Sequence, residues 1–293
     1  MVLYYIIYSI LYLISLLPLS VLYCISDILA FLLYYIIRYR REVVRKNLLN
    51  SFPEKTLNEI IIIEKNFYRF FVQWIVEALK LLSISESELK KRCEFSKNFQ
   101  EIFNRNFEEG KDILVLMGHL GNWEWAGAAF NLYFRQNLFV LYHPLSNKVF
   151  DRIMIKIRSR FGTKLLPMQS AFKYIISNTK VNNVYTFIAD QCPSKENAFW
   201  MIFLNQETAV YYGPEKILNK IKAIPTVVFV LPHPHNKRGY YLIDAKELRG
   251  VKNDENTFPI MEEFMKALEE NIMTNPSYWL WSHNRWKHKR DKF

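Results

Sequence analysis

Cysteine is scarce. Three are present (Cys24, Cys93 and Cys192), an odd count with no CxxC spacing, which argues against a disulfide framework and a structural zinc site. Charged residues make up only 23% of the chain against 51% hydrophobic and 16% aromatic, so intrinsic disorder is excluded. Acidic residues are in deficit, 28 against 39 Lys and Arg, for a net charge of +11. A chain this basic and apolar points to nucleic acid or to an anionic membrane surface. No RNP or helix-turn-helix pattern is present, so nucleic acid is not an expected partner. Also missing are HExxH, GxSxG, GxxxxGK[ST] and GxGxxG, which speaks against a zincin, a serine-hydrolase elbow and nucleotide-binding loops. His233-Pro-His235 reads better as a surface turn than as a metal pair, and no cofactor or metal is expected.

Charge is wholly absent from residues 1–26. As a helix these would span ~39 Å, enough for a ~30 Å hydrocarbon core. Asp27 is the first charge, a second apolar run covers 28–37, and Pro18 splits the segment. There is no basic region ahead of the apolar run and no small-x-small site, so a cleaved signal peptide is not expected. Basic residues come after it: RYRREVVRKNL (38–48) and the tail HNRWKHKRDKF (283–293) each carry net +4. The positive-inside rule puts residues from Arg38 onward in the cytoplasm. The segment either crosses the membrane or lies in one leaflet. The expected division is therefore a membrane anchor over 1–37 and one domain over 38–293, able to fold without the anchor.

With 293 residues and no internal repeat or low-complexity linker, that domain reads as α/β. SFPEKT starts a long helix over 57–82, and a loop containing Glu86, Glu88 and Lys90 follows. Strands are predicted over 113–117, 138–142, 184–189, 226–231 and 240–243. Helices are predicted over 122–133, 147–161, 170–177, 214–221 and 259–273. This alternation favours a mostly parallel sheet flanked by helices.

The chemistry concentrates in DILVLMGHLGNWEW (112–125). An apolar strand ends at Gly118, His119 sits in a glycine-flanked turn, and Asn122 is a plausible N-cap for the helix carrying Glu124. His119 in the turn and Glu124 in the first helical turn can meet. A histidine oriented by a carboxylate is a general base for a hydroxyl, and N–H groups at the helix start can stabilise an oxyanion. Spacing alone favours a satisfied turn histidine and a solvated glutamate over the catalytic pair.

GHLGNWEW resembles the HxxxxE form of the HxxxxD/E motif of the bacterial lipid A biosynthesis acyltransferases. These are late acyltransferases of the lauroyl/myristoyl type, within the glycerolipid acyltransferase superfamily. The resemblance continues through YRREVVRKNLLNSFPEKT after the apolar start, LYHPLSNKVFDRIMIKIRSRFG, FIADQ and the ending YWLWSHNRWK. The chain departs after Gln191, reading CPSKENAFWMIFLNQET where the family has a Gly-rich segment leading to Phe-Phe-Gly; this leaves the local shape of the acceptor or acyl pocket open.

The resemblance implies a glycerolipid acyltransferase-like fold and an enzyme moving a fatty acyl chain from acyl-acyl carrier protein to a hydroxyl of a lipid A precursor, by direct attack on the thioester. His119 would be the base and Glu124 would hold its ring. Arg158 would bind acceptor phosphate or sugar. Asp190 would fix an arginine such as Arg158 or contact the acceptor, with Gln191 and Asn122 also toward substrate. Cys192, close behind Asp190, raises a covalent acyl-enzyme route; the resemblance implies direct transfer instead. The implied location is the cytoplasmic face of a bacterial inner membrane, on an anionic lipid surface. Two alternatives stay open: an acyltransferase acting on another membrane lipid, and a catalytically silent membrane-tethered lipid-binding protein.

Overall fold

The computed structural model describes residues 2–178, 180–235, 237–250 and 258–290. The chain opens with α1 (Val2–Leu16), α2 (Leu19–Phe31) and a π-helical stretch over Leu32–Ile37, then α3 (Arg41–Ser51) and the long α4 (Leu57–Lys80). Next come α5 (Glu86–Arg92), β1 (Cys93–Phe95), α6 (Lys97–Glu108), β2 (Asp112–Met117) and α7 (Trp123–Tyr133). β3 (Asn137–Tyr142), α8 (Lys148–Ser159), β4 (Lys164–Pro167), α9 (Met168–Ser177) and β5 (Asn183–Ile188) follow. The hairpin β6 (Ala198–Phe203) and β7 (Gln206–Tyr211) leads to α10 (Gly213–Leu218), β8 (Ala223–Pro232), β9 (Tyr241–Glu247) and α11 (Pro259–Thr274).

Seven strands form one sheet in the order β1-β9-β8-β2-β5-β3-β4, with every neighbouring pair parallel except β8 and β9. The expected α/β class and mostly parallel sheet are what the structure has. β2 is the apolar run DILVLM because both its faces are covered, and Ile113 to Met117 are all buried. One core lies on each side: Phe187, Phe229 and Phe264 belong to one, and Phe99, Phe103 and Trp125 to the other. α4 starts where the sequence signals it, at a capping box: Thr56 accepts from the Glu59 N–H, and the Glu59 carboxylate accepts from the Thr56 N–H.

The five predicted strands and six predicted helices are all present, with β5 ending at Ile188, one residue early. The loop expected around Glu86 is instead α5, because Ser85 caps it by accepting from the Glu88 N–H at 3.2 Å. α6 was not anticipated, although Phe99, Ile102, Phe103 and Asn106 bury one face at helical spacing. Nor were β1, β4 and the β6–β7 hairpin. The hairpin turn uses Leu204 (φ 49°) and Asn205 (φ 61°) in the left-handed region, without the Asn-Gly that signals such turns. Leu204 is held there by its N–H, which donates to Glu269 Oε1 at 2.9 Å.

Pro18 separates α1 from α2, and Lys80 Nζ takes up the carbonyls of Ser15 (2.7 Å) and Leu17 (2.9 Å) at that break. Residues Leu19–Ile37 form a helical stretch long and apolar enough to cross a membrane. The first 37 residues are also tied to the rest of the protein. Tyr4, Leu22, Ala30 and Tyr34 are buried, while Leu3, Leu13, Ile28 and Ile36 point outward. Part of the first basic run turns inward as well: Arg41 and Arg45 pair with the buried Glu64, and Arg40 donates to the Ser282 carbonyl.

Candidate active site

β2 and β5 are parallel neighbours, with Met117 beside Ile188. Carrying that register two residues further sets His119 beside Asp190. The backbone confirms it: the Ala189 N–H donates to the Met117 carbonyl at 2.9 Å. The His119 N–H donates to Asp190 Oδ2 at 2.8 Å, and His119 Nδ1 lies 2.6 Å from Asp190 Oδ1. Trp279 Nε1 gives Oδ2 a further bond at 2.7 Å. Burial works against charge on Asp190, but its interaction with His119 and these three N–H donors bring its pKa down to about 2. An ionised carboxylate can only accept, so Nδ1 carries a proton toward Asp190, and in the neutral ring Nε2 is the nitrogen with the lone pair.

The turn that aims His119 is strapped from the C-terminal segment. Gly121 N donates to the Tyr278 carbonyl, and Leu280 N donates to that of His119. Gly121 has φ 69°, and a Cβ there would lie 1.9 Å from the Val230 carbonyl oxygen, so only glycine fits. The His119 ring meets Trp123 edge-on at 4.9 Å.

Glu124 does not hold the imidazole. Its carboxylate accepts from Arg158 Nε (3.0 Å) and Nη2 (2.6 Å), a bidentate clamp between α7 and α8. Asp190 accordingly does not fix Arg158. Asn122 is the N-cap, accepting from the Trp125 N–H at 3.0 Å and donating to Glu77 Oε2 at 2.7 Å. It is fully buried and does not line the cavity described next, so its side chain is not offered to a substrate, nor is the Trp125 N–H offered to an oxyanion. Gln191 Nε2 lies 3.4 Å from His119 Nε2.

His119, Glu124, Arg158 and Gln191 line one cavity of about 310 Å³. Its remaining walls are mainly apolar and include the buried Phe99, Phe103 and Phe130. Cys192 does not line it; its backbone N–H donates to His283 Nε2 at 3.1 Å. Burial holds the His283 imidazole down at about 4, against the pull of Asp190, which keeps Nε2 free to accept. His233 pairs with Glu94, and among the described residues no group of three His, Cys, Asp or Glu could hold a metal ion.

Two partners of this site had no sequence signal strong enough to find them. Trp279 reads as one of several aromatics, and Glu77 as one acid on an amphipathic helix. Glu77 is fully buried, accepting from Tyr23, Gln73, Asn122 and Tyr241.

The family profile described as bacterial lipid A biosynthesis acyltransferase matches residues 1–288. The chain belongs to that family. It is similar to the lipid A biosynthesis palmitoleoyltransferase of Escherichia coli K12, 21% identical over 251 residues that cover 86% of this chain and 80% of the relative. A lipid A biosynthesis acyltransferase of Haemophilus influenzae is 23% identical over 201 residues, 67% of this chain and 60% of the relative. The protein is thus an acyltransferase of lipid A biosynthesis, and the cavity beside His119 is its candidate active site.

Proposed function

We propose that this lipid A acyltransferase moves a fatty acyl chain from acyl-acyl carrier protein to a hydroxyl of a lipid A precursor by direct transfer, with His119 as the base. The observation that carries the reading is the His119–Asp190 contact at an apolar cavity. The acceptor O–H gives its proton to His119 Nε2 while its oxygen attacks the thioester carbonyl. The C–S bond then breaks, and the departing thiolate takes the proton back from the imidazolium. Asp190 fixes the tautomer and stabilises the imidazolium. The acyl chain lies in the cavity, where each buried CH₂ is worth about 0.8 kcal/mol.

Glu124 acts by gripping Arg158. The grip uses Nε and Nη2, which leaves Nη1 to bind an acceptor phosphate or sugar oxygen. Gln191 contributes to the acceptor site from its place beside Nε2. The outward apolar faces of α1 and α2 seat the protein in the inner membrane, with the domain from residue 38 onward on the cytoplasmic, anionic surface.

The test uses purified full-length protein with acyl-acyl carrier protein and lipid A precursor, followed by mass spectrometry of the lipid. A new ester on the precursor is expected. A chain added to another membrane lipid instead, or no transfer at all, would overturn the reading.

A further inference from the structure

The N-terminal helices reach the active site by two separate routes. On α1, Tyr4, Tyr8 and Tyr12 are spaced by four and stack in a row, 5.8 and 6.1 Å between ring centroids. They face α8, whose cations repeat at the same spacing. The Arg152 guanidinium sits 4.2 Å from the Tyr4 centroid, and Lys156 Nζ sits 4.3 Å from that of Tyr8. Two residues turn a helix by ~200°, so Arg158 leaves α8 on the side opposite Lys156, toward Glu124 on α7. α8 is thus held between α1 and the ion pair.

The second route starts on α2. Tyr23 donates to Glu77 Oε1 at 2.8 Å, and Asn122 donates to the other oxygen at 2.7 Å. Asn122 Oδ1 holds the Trp125 N–H, and the Trp125 indole donates to the Glu77 carbonyl at 2.6 Å. Glu124 lies between those two residues in the chain. One route therefore ends on the helix of Arg158 and the other on the helix of Glu124.

We propose that α1 and α2 position the Arg158–Glu124 clamp, so that seating them in a lipid surface is transmitted to the acceptor side of the cavity. The outward face commits the occupant to lipid: Leu3, Ile6, Leu13, Ile28 and Ile36 are each more than half exposed, and charge is missing up to Asp27, which Arg238 neutralises. The inference rests on the membrane reading above. The tyrosines are positioning residues, acting through α8.

The experiment is hydrogen exchange on the full chain, with and without vesicles of phosphatidylethanolamine and phosphatidylglycerol, alongside vesicle flotation. In the wild type, vesicles should slow exchange across α8 and the first turn of α7 by about fivefold, the lower end of typical inter-site coupling. The triple variant Tyr4→Leu, Tyr8→Leu, Tyr12→Leu should still float but lose the protection of α8. The matching Phe variant keeps the ring faces and should regain it. If the triple variant misfolds, Lys156→Met should weaken the α8 protection alone. Wild type that does not float removes the membrane reading and the proposal with it. Flotation with α8 unchanged, or with α8 protected equally in the Leu variant, overturns the proposal while leaving membrane seating and acyl transfer intact.

Discussion

Two carboxylates near the active site are fully enclosed, and burial treats them alike, yet they end on opposite sides of their ordinary range. Asp190 is drawn down to about 2, because a titratable imidazole faces it together with three N–H donors. Glu77 is pushed up by burial, and four uncharged hydrogen-bond partners do not reverse that. At Glu77 burial outweighs the four hydrogen bonds; at Asp190 the interaction with His119 and the hydrogen bonds together outweigh burial. Asp190 is accordingly suited to serve an imidazolium, and Glu77 to join helices.

The largest effect is expected at the base. His119→Ala should lower turnover by at least ~10²-fold, the usual scale for general base catalysis, with an unchanged circular dichroism spectrum. A folded variant keeping half its activity would remove His119 from the chemistry. At Glu77 the loss should instead be in stability. Glu77→Ala leaves several buried donors unpaired and should cost about 3 kcal/mol or more, read as a fall in melting temperature.

The same contrast fixes two opposite pH dependences. Between ~4 and about 2 the unfolded chain protonates its aspartate while folded Asp190 stays charged. Stability from Asp190 is therefore complete above ~4 and is lost as pH falls through that window. Glu77 holds its proton higher in the folded state than in the unfolded one. Its contribution is complete below ~4.3 and declines as pH rises above it. Melting curves of Asp190→Asn and Glu77→Gln against pH should lose slope in these separate windows, and loss in one shared window would break the comparison. His283 adds an intermediate case: folded at about 4 and unfolded near ~6.5, it stabilises fully above ~6.5 and less as pH falls toward 4. The smallest effect belongs to Cys192→Ala, which should keep activity within about twofold, since the thiol lies outside the cavity. An acyl adduct on Cys192 in a donor-only mixture would contradict that.

Much of this molecule was legible in the sequence. Long apolar runs became central strands, the Thr56 box started α4, and the glycine-flanked His119 turn ended β2. The partner of His119 was not legible. Asp190 reaches it only because β5 lies next to β2, while β3 and β4 come between them in the chain. Local spacing offered Glu124, five residues away; the α7–α8 packing gave that carboxylate to Arg158 instead. The edge strands β1 and β4 are three and four residues long, too short for a periodic signal.

The pairing of His119 with Asp190, rather than with Glu124, is tested most directly by comparing two isosteric amides. Full-length Asp190→Asn and Glu124→Gln would be assayed with acyl-acyl carrier protein over a range of lipid A precursor concentrations. Asp190→Asn should lower kcat by about 10³-fold or more with KM little changed, because an amide no longer enforces the tautomer or steadies the imidazolium. Glu124→Gln should act mainly on KM for the acceptor, by loosening Arg158. The reverse pattern, with kcat lost at Glu124 and retained at Asp190, would make Glu124 the residue that serves the base.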